Sequence, residues 1–249
     1  MNETKTLKRI IVMLLVIASL SGVVAVSAES TQQDTKVESI IVFGHYEQDN
    51  ITENGPEEIE WIVLDKVGDK VLLLSKYGLD SKQYHTHYES ITWENCSLRK
   101  WLNDEFLNTA FSKEEQAAIL LTDVDNSQSQ GFSEWADVSG GNDTQDRIFL
   151  LSCAEAEKYL GVTADSNDNL KARVAPTAYA IAHGASINNK WLTAEGKVAG
   201  RWWLRSPGRH PYRAAHVYGA GSLRNTHVSA SNDHYGGGTV RPALWLKLK

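Results

Sequence analysis

Cysteine is nearly missing from this chain: Cys96 and Cys153 are the only two in 249 residues. One disulfide is therefore the most the chain can make. Either the two pair in an oxidising compartment or they remain as two buried thiols packing like small hydrophobes. Acidic side chains disappear after Gly196, where Asp233 stands alone against Lys197, Arg201, Arg205, Arg209, Arg213, Arg224, Arg241, Lys247 and Lys249. The whole chain nevertheless carries a formal net charge of −6, so an acidic body precedes a basic end. That asymmetry suits an anionic or polar partner. A lysine-rich stripe is lacking, which argues against nucleic acid as that partner. No GxGxxG motif, P-loop or nucleophile elbow occurs anywhere, so none of the nucleotide or hydrolase fingerprints applies. No internal repeat is visible either. Most telling is the stretch from Ser206 to Val240, which contains no lysine, glutamate, glutamine, methionine or tryptophan. These five make up roughly a fifth of average composition, and none is encoded by a codon ending in a pyrimidine.

Lys5, Lys8 and Arg9 precede an apolar run from Ile10 to Val26, and Val26-Ser27-Ala28 offers small residues for processing. Residues 1–28 therefore read as a secretory signal, and the mature protein is expected to be secreted or displayed at the cell surface. A retained anchor is the alternative, since the run approaches spanning length, and the membrane enters in no other way. Residues 29–36 read as a flexible lead-in, and 37–249 as one domain.

Ile40 to Phe43 reads as a strand. Ile59 to Asp65 and Lys70 to Ser75 flank Val67-Gly68-Asp69 and predict a hairpin. In NCSLRKWLNDEFLNTAF, Leu98, Trp101, Leu102 and Phe106 recur at helical spacing behind Asn95 as a cap. Ser112 with Glu115, and Ser152 with Glu155, form capping boxes for two more helices, the second ended by Gly161. Pro176 opens a short helix that Gly184 stops. Between these, Thr122 to Asp146 reads as a polar surface loop, and Ile148 to Leu151 as a short strand. Trp202–Arg205, Ala214–Tyr218, Leu223–Val228 and Val240–Leu248 read as strands. Strands at both ends and helices between them predict an α+β domain with short helices and a small, mainly antiparallel sheet.

The basic end, about 201–249, holds four of the eight histidines. His210, His216, His227 and His234 follow no compact ligand spacing, so no metal is expected there. Ser206, His210 and Asp233 have the residue types of a hydrolytic triad but no motif around the serine. Tyrosine, serine, glycine and asparagine with arginine are the chemistry of adaptable binding surfaces. Arg209, His210, Tyr212, Arg213, His216, Tyr218, Arg224, Asn225, His227, Ser229, Asn232, His234 and Tyr235 are the candidate ligand-binding residues. Between them sit Ala214, Ala215, Val217, Leu223 and Val228, which read as the inward frame. A Gly-rich antiparallel sheet with a polar outer face is the plain alternative. Arg205 and Arg241, in apolar strands, are either paired by buried acids or a ligand clamp.

The segments IEWIVLD, LLLS, TWENCSLRKWLN, FLLS, WWLRSPG and VRPALWL, in that order, resemble a bacterial domain family whose members are often secreted. The C-terminal half resembles C-type-lectin-like domains of the formylglycine-generating-enzyme type. Within that group AAHVYGAGSL followed by VRPAL is similar to the variable region of retroelement-diversified proteins. There, adenines of asparagine codons are mutated and every product codon still ends in a pyrimidine. The resemblance implies a C-type-lectin-like domain that binds an extracellular protein or glycan and is non-catalytic, with no cofactor. An extracellular hydrolase on glycan or peptide, or a structural envelope domain, are the alternatives. Two departures stand out. No late cysteine pair follows Cys153, so the oxidase chemistry is not implied. Thr239 stands where glycine usually precedes VRPAL.

Overall fold

The computed structural model describes residues 23–25, 37–132, 137–165, 168–224 and 238–248. The first strands are β1 (Val23–Ala25), β2 (Ile40–Tyr46), β3 (Glu57–Val67), β4 (Lys70–Ser75) and β5 (Asp80–Lys82). The hairpin expected around Gly68 is β3–β4. Val67 faces Lys70 across a two-residue turn, and Gly68 takes φ +62°, which a side chain would resist. Alternation along β3 sends Ile59, Trp61 and Val63 inward, where all three are fully buried. The Trp61 indole donates to the Phe43 carbonyl at 2.7 Å, so its polar edge is satisfied.

The long helical segment is three pieces in series: α1 (Ser97–Trp101), a π-helical turn (Leu102–Phe106) and α2 (Leu107–Ala110). Leu98, Leu102 and Phe106 lie on its buried face, as their spacing requires. Its cap is Cys96, whose sulfur accepts from Arg99 N at 3.3 Å, and not Asn95, which closes a preceding 3-10 turn. Both capping boxes form, on α3 (Lys113–Ala118) and α4 (Cys153–Leu160), and Gly161 ends α4 in the left-handed conformation. The segment predicted as a surface loop is closed by paired strands β6 (Thr122–Val124) and β7 (Thr144–Asp146). The polar composition misled here because Asp146 is an interior anchor. Its carboxylate accepts from the Trp93 indole at 2.9 Å and from Arg99 Nε at 2.6 Å.

Helix α5 (Ala178–Ala182) is capped by Thr177, one residue beyond Pro176. There follow β8 (Ile187–Leu192), β9 (Val198–Gly200), β10 (Trp202–Pro207), β11 (Ala214–Val217), β12 (Leu223–Arg224), β13 (Gly238–Val240) and β14 (Ala243–Lys247). The described strands make two five-stranded sheets, ordered β1-β2-β3-β4-β14 and β12-β11-β10-β13-β5, and two two-stranded ones, β6-β7 and β8-β9. Pairing is mainly antiparallel, and β1–β2 and β10–β13 are parallel. The α+β class is as expected. The single strand predicted over Val240–Leu248 is instead two strands in different sheets. Arg241 and Pro242 carry the chain across, because proline has no N–H to offer a ladder. Ile148–Leu151 is not a strand. It is fully buried and touches β14 through one bridge, Phe149 to Ala243.

Cys96 and Cys153 are buried free thiols, and burial pushes both up to about 12. Among the described residues no helix is long and apolar enough to cross a membrane.

Candidate ligand-binding face

The basic end is built on β10, which runs antiparallel to β11, with Trp203 opposite His216 and Pro207 opposite Ala214. The extra residues on β10 form an irregular bulge that lets Arg205 N reach the Leu151 carbonyl at 3.0 Å. Ala214, Ala215, Val217 and Leu223 are all buried, as an inward frame requires.

Between β10 and β11, residues 208–213 form a tied turn. Gly208 N donates to Arg213 O at 2.7 Å and Arg213 N to His210 O at 2.9 Å. A second loop, residues 83–92, is pinned to it by Ile91 N donating to Pro211 O at 2.9 Å. On this base stands an aromatic and cationic cluster. His210 stacks on Tyr212 at 5.3 Å with planes 9° apart, and Tyr88 approaches Tyr212 at 5.3 Å. The Arg213 guanidinium sits 5.7 Å from the Tyr212 ring centre, within cation–π range. Arg209 is exposed, and Tyr88 is 63% exposed.

The other candidates separate from this cluster. His216 is a correction: it is fully buried, edge-on to Trp203 at 6.1 Å. Strand alternation placed it outward, but every residue of β11 is buried, so both faces of that strand are covered. The Tyr218 hydroxyl accepts from Asn188 Nδ2 at 2.7 Å, against β8. Arg224 donates to the carbonyls of Ala164 and Leu223 at 3.1 and 3.2 Å. Asn225, His227, Ser229, Asn232, His234 and Tyr235 lie outside the described residues, as does Asp233. The residue that sequence reasoning missed is Tyr88. Its only local signal was HTHYE, an aromatic between ligand-type residues.

That same segment brings His85, His87 and Glu89 close enough to suggest a cation site. Hydrogen bonding argues otherwise. Ser97 N donates to His85 Nδ1 at 3.2 Å, so the proton belongs on Nε2, which faces Glu89 Oε1 at 2.8 Å. A metal on Nε2 would turn the Nδ1 proton against the Ser97 amide.

Ser206 does not have a free nucleophile. Its hydroxyl donates to Gln130 O at 2.7 Å and accepts from Cys153 N at 2.9 Å. The two strand arginines differ. Arg205 is paired: it grips both Glu155 oxygens and donates to Leu150 O at 2.8 Å and Asp125 O at 3.0 Å. Arg241 is fully buried with one described hydrogen bond, Nε to Ser75 O at 2.9 Å, and lies 4.9 Å from the Trp202 ring centre. Burial alone pushes its guanidinium down to about 9. Thr239, the departure before VRPAL, pairs with Ser81 and Trp202, and its methyl fills the space beside Gly78.

No curated protein and no solved structure matches the chain. A family model does match, over residues 68–248, from the turn of the first hairpin to the end of β14. The chain therefore belongs to the family described as a domain of unknown function, DUF6273.

Proposed function

We propose that the chain is a secreted or surface-displayed ligand-binding module. In this reading it has a C-type-lectin-like domain of the formylglycine-generating-enzyme type and binds an extracellular protein or glycan at its basic end. The observation that carries the reading is the cluster of Tyr88, His210, Tyr212 and Arg213, held by two pinned loops over a buried apolar frame. Tyrosines give large contact area with few rotatable bonds, and loops already tied down lose little entropy on binding. The face binds without chemistry. Diversification by a retroelement is supported by the residue types missing from Ser206 to Val240. A neighbouring reverse-transcriptase gene, with a near-copy of the tail differing only at adenines, establishes that part, and its absence removes it.

The binding test uses residues 29–249 on glycan and protein arrays. The Tyr88→Ala/Tyr212→Ala double variant should lose capture by about 100-fold or more, the scale of two hot-spot aromatics. Its melting temperature should move by no more than about 2 °C, since surface changes perturb stability little. Equal capture by both proteins overturns the reading.

A further inference from the structure

Away from the aromatic cluster, the edge strand β5 meets α5 in an arrangement that the binding reading does not use. Asp80 is 1% exposed, yet it is approached by four donors. Its Oδ2 accepts from Tyr46 Oη at 2.7 Å and faces Lys82 Nζ at 3.5 Å, and its Oδ1 accepts from Ser81 N at 2.7 Å. Oδ1 also lies 3.0 Å from His183 Nδ1. A buried carboxylate with three other donors does not need the histidine for its own satisfaction. The histidine, in contrast, is fixed by it. A proton on Nδ1 is required to meet the carboxylate, so the neutral imidazole carries its lone pair on Nε2.

The His183 side chain is 39% exposed, and no described residue hydrogen-bonds its Nε2. Tyr179, one helical turn earlier, packs against the imidazole at 3.9 Å between ring centres and limits its rotation. His183 is the C-cap of α5, followed by Gly184 at φ +93°, and its Nδ1 contact with Asp80 joins the end of the helix to β5. Lys82 is held along β5 two residues from Asp80, on the same face, with its ammonium 4.9 Å from the Trp101 ring centre. An oriented imidazole and a half-exposed ammonium thus share one buried carboxylate.

We propose that Asp80 and His183 form a general-base dyad, with Lys82 as the anchor for a negative charge, that hydrolyses small esters bearing an anionic group. Nε2 of His183 takes a proton from water as the water oxygen bonds to the ester carbonyl carbon. The tetrahedral adduct then breaks its bond to the alkoxy oxygen, which receives that proton from His183 and leaves as the alcohol. Water and ester are consumed, acid and alcohol are produced, and the imidazole returns to its starting state. Esters suit the site because an imidazole that activates water directly needs a good leaving group. Asp80 is the positioning residue, holding the tautomer and the angle of the ring. This inference stands independently of the proposed ligand face.

The test is hydrolysis of 4-nitrophenyl acetate and of the anionic mono-4-nitrophenyl succinate by residues 29–249. The wild type should hydrolyse both, with the lower KM for the succinate. His183→Gln should lower kcat on both by about 100-fold or more, the scale of one general base. The exposed position lets that variant fold, which circular dichroism checks. Asp80→Asn should lower kcat with little change in KM, a split that a purely structural loss would not produce. Lys82→Met should raise KM for the succinate about tenfold more than for the acetate. A wild-type rate no faster than that of folded His183→Gln overturns the proposal. Equal effects of Lys82→Met on the two esters overturn the assignment of the anionic class.

Discussion

Replacing Glu155 with alanine should lower the stability of the domain by about 3–5 kcal/mol, the effect of stranding a buried cation. Arg205 is 2% exposed and its guanidinium closes on both oxygens of Glu155. The same carboxylate also completes the capping box of α4, accepting from Ser152 N at 2.9 Å. One substitution therefore removes the counter-charge of Arg205 and a helix cap, the latter contributing about 1 kcal/mol. For a domain of this length the combined loss corresponds to roughly 10 °C in melting temperature. Glu155→Gln separates the two contributions. It keeps an acceptor for Ser152 N but not the charge, so it should fall between wild type and alanine. Urea denaturation of the three proteins measures the order. A loss below about 1 kcal/mol for alanine would mean that Arg205 finds other partners and that the bulge of β10 is not held by this pair.

Gly78→Ala should be nearly as damaging, and a second change should repair it. A methyl on Gly78 would stand 1.9 Å from the Thr239 methyl carbon, far inside contact distance. Neither backbone can retreat easily. Gly78 N donates to Ala175 O at 3.0 Å, Thr177 N donates to Gly78 O at 2.9 Å, and β13 is paired on both sides. Overpacking of this kind costs about 1–3 kcal/mol. Gly78→Ala with Thr239→Gly exchanges the two side chains and should recover most of the loss, leaving only about 1 kcal/mol for a glycine in a strand. A double variant no more stable than Gly78→Ala alone would show that the clash with Thr239 is not the cause.

What could be read from the sequence was local. Gly68 between two apolar runs, and the Ser–Glu pairs at 112/115 and 152/155, act within a few residues and appear in the fold as read. The frame positions Ala214, Ala215, Val217 and Leu223 are buried, as their apolar character indicated. What was not legible depends on contacts across the chain. Arg241-Pro242 looks like the middle of one strand until two different sheets claim its flanks. His216 obeys the alternation rule, but that rule assumes one open face, and β11 has none. Tyr88 joins the candidate face only because Ile91 is tied to Pro211. Asp80 and His183 lie 103 residues apart, and neither carries a motif. The Glu155–Arg205 pair likewise combines a helix cap with a strand cation that local patterns treat separately.

A buried apolar frame turns one compact aromatic and cationic cluster toward solvent. Covalent footprinting of native residues 29–249, with diethyl pyrocarbonate for histidines and tetranitromethane for tyrosines, reads this residue by residue in a mass spectrometer. Rapid modification of Tyr88 and His210, with His216 and Tyr84 protected until the protein unfolds, is the predicted pattern. His216 reacting as fast as His210, or Tyr88 protected like Tyr84, would contradict it.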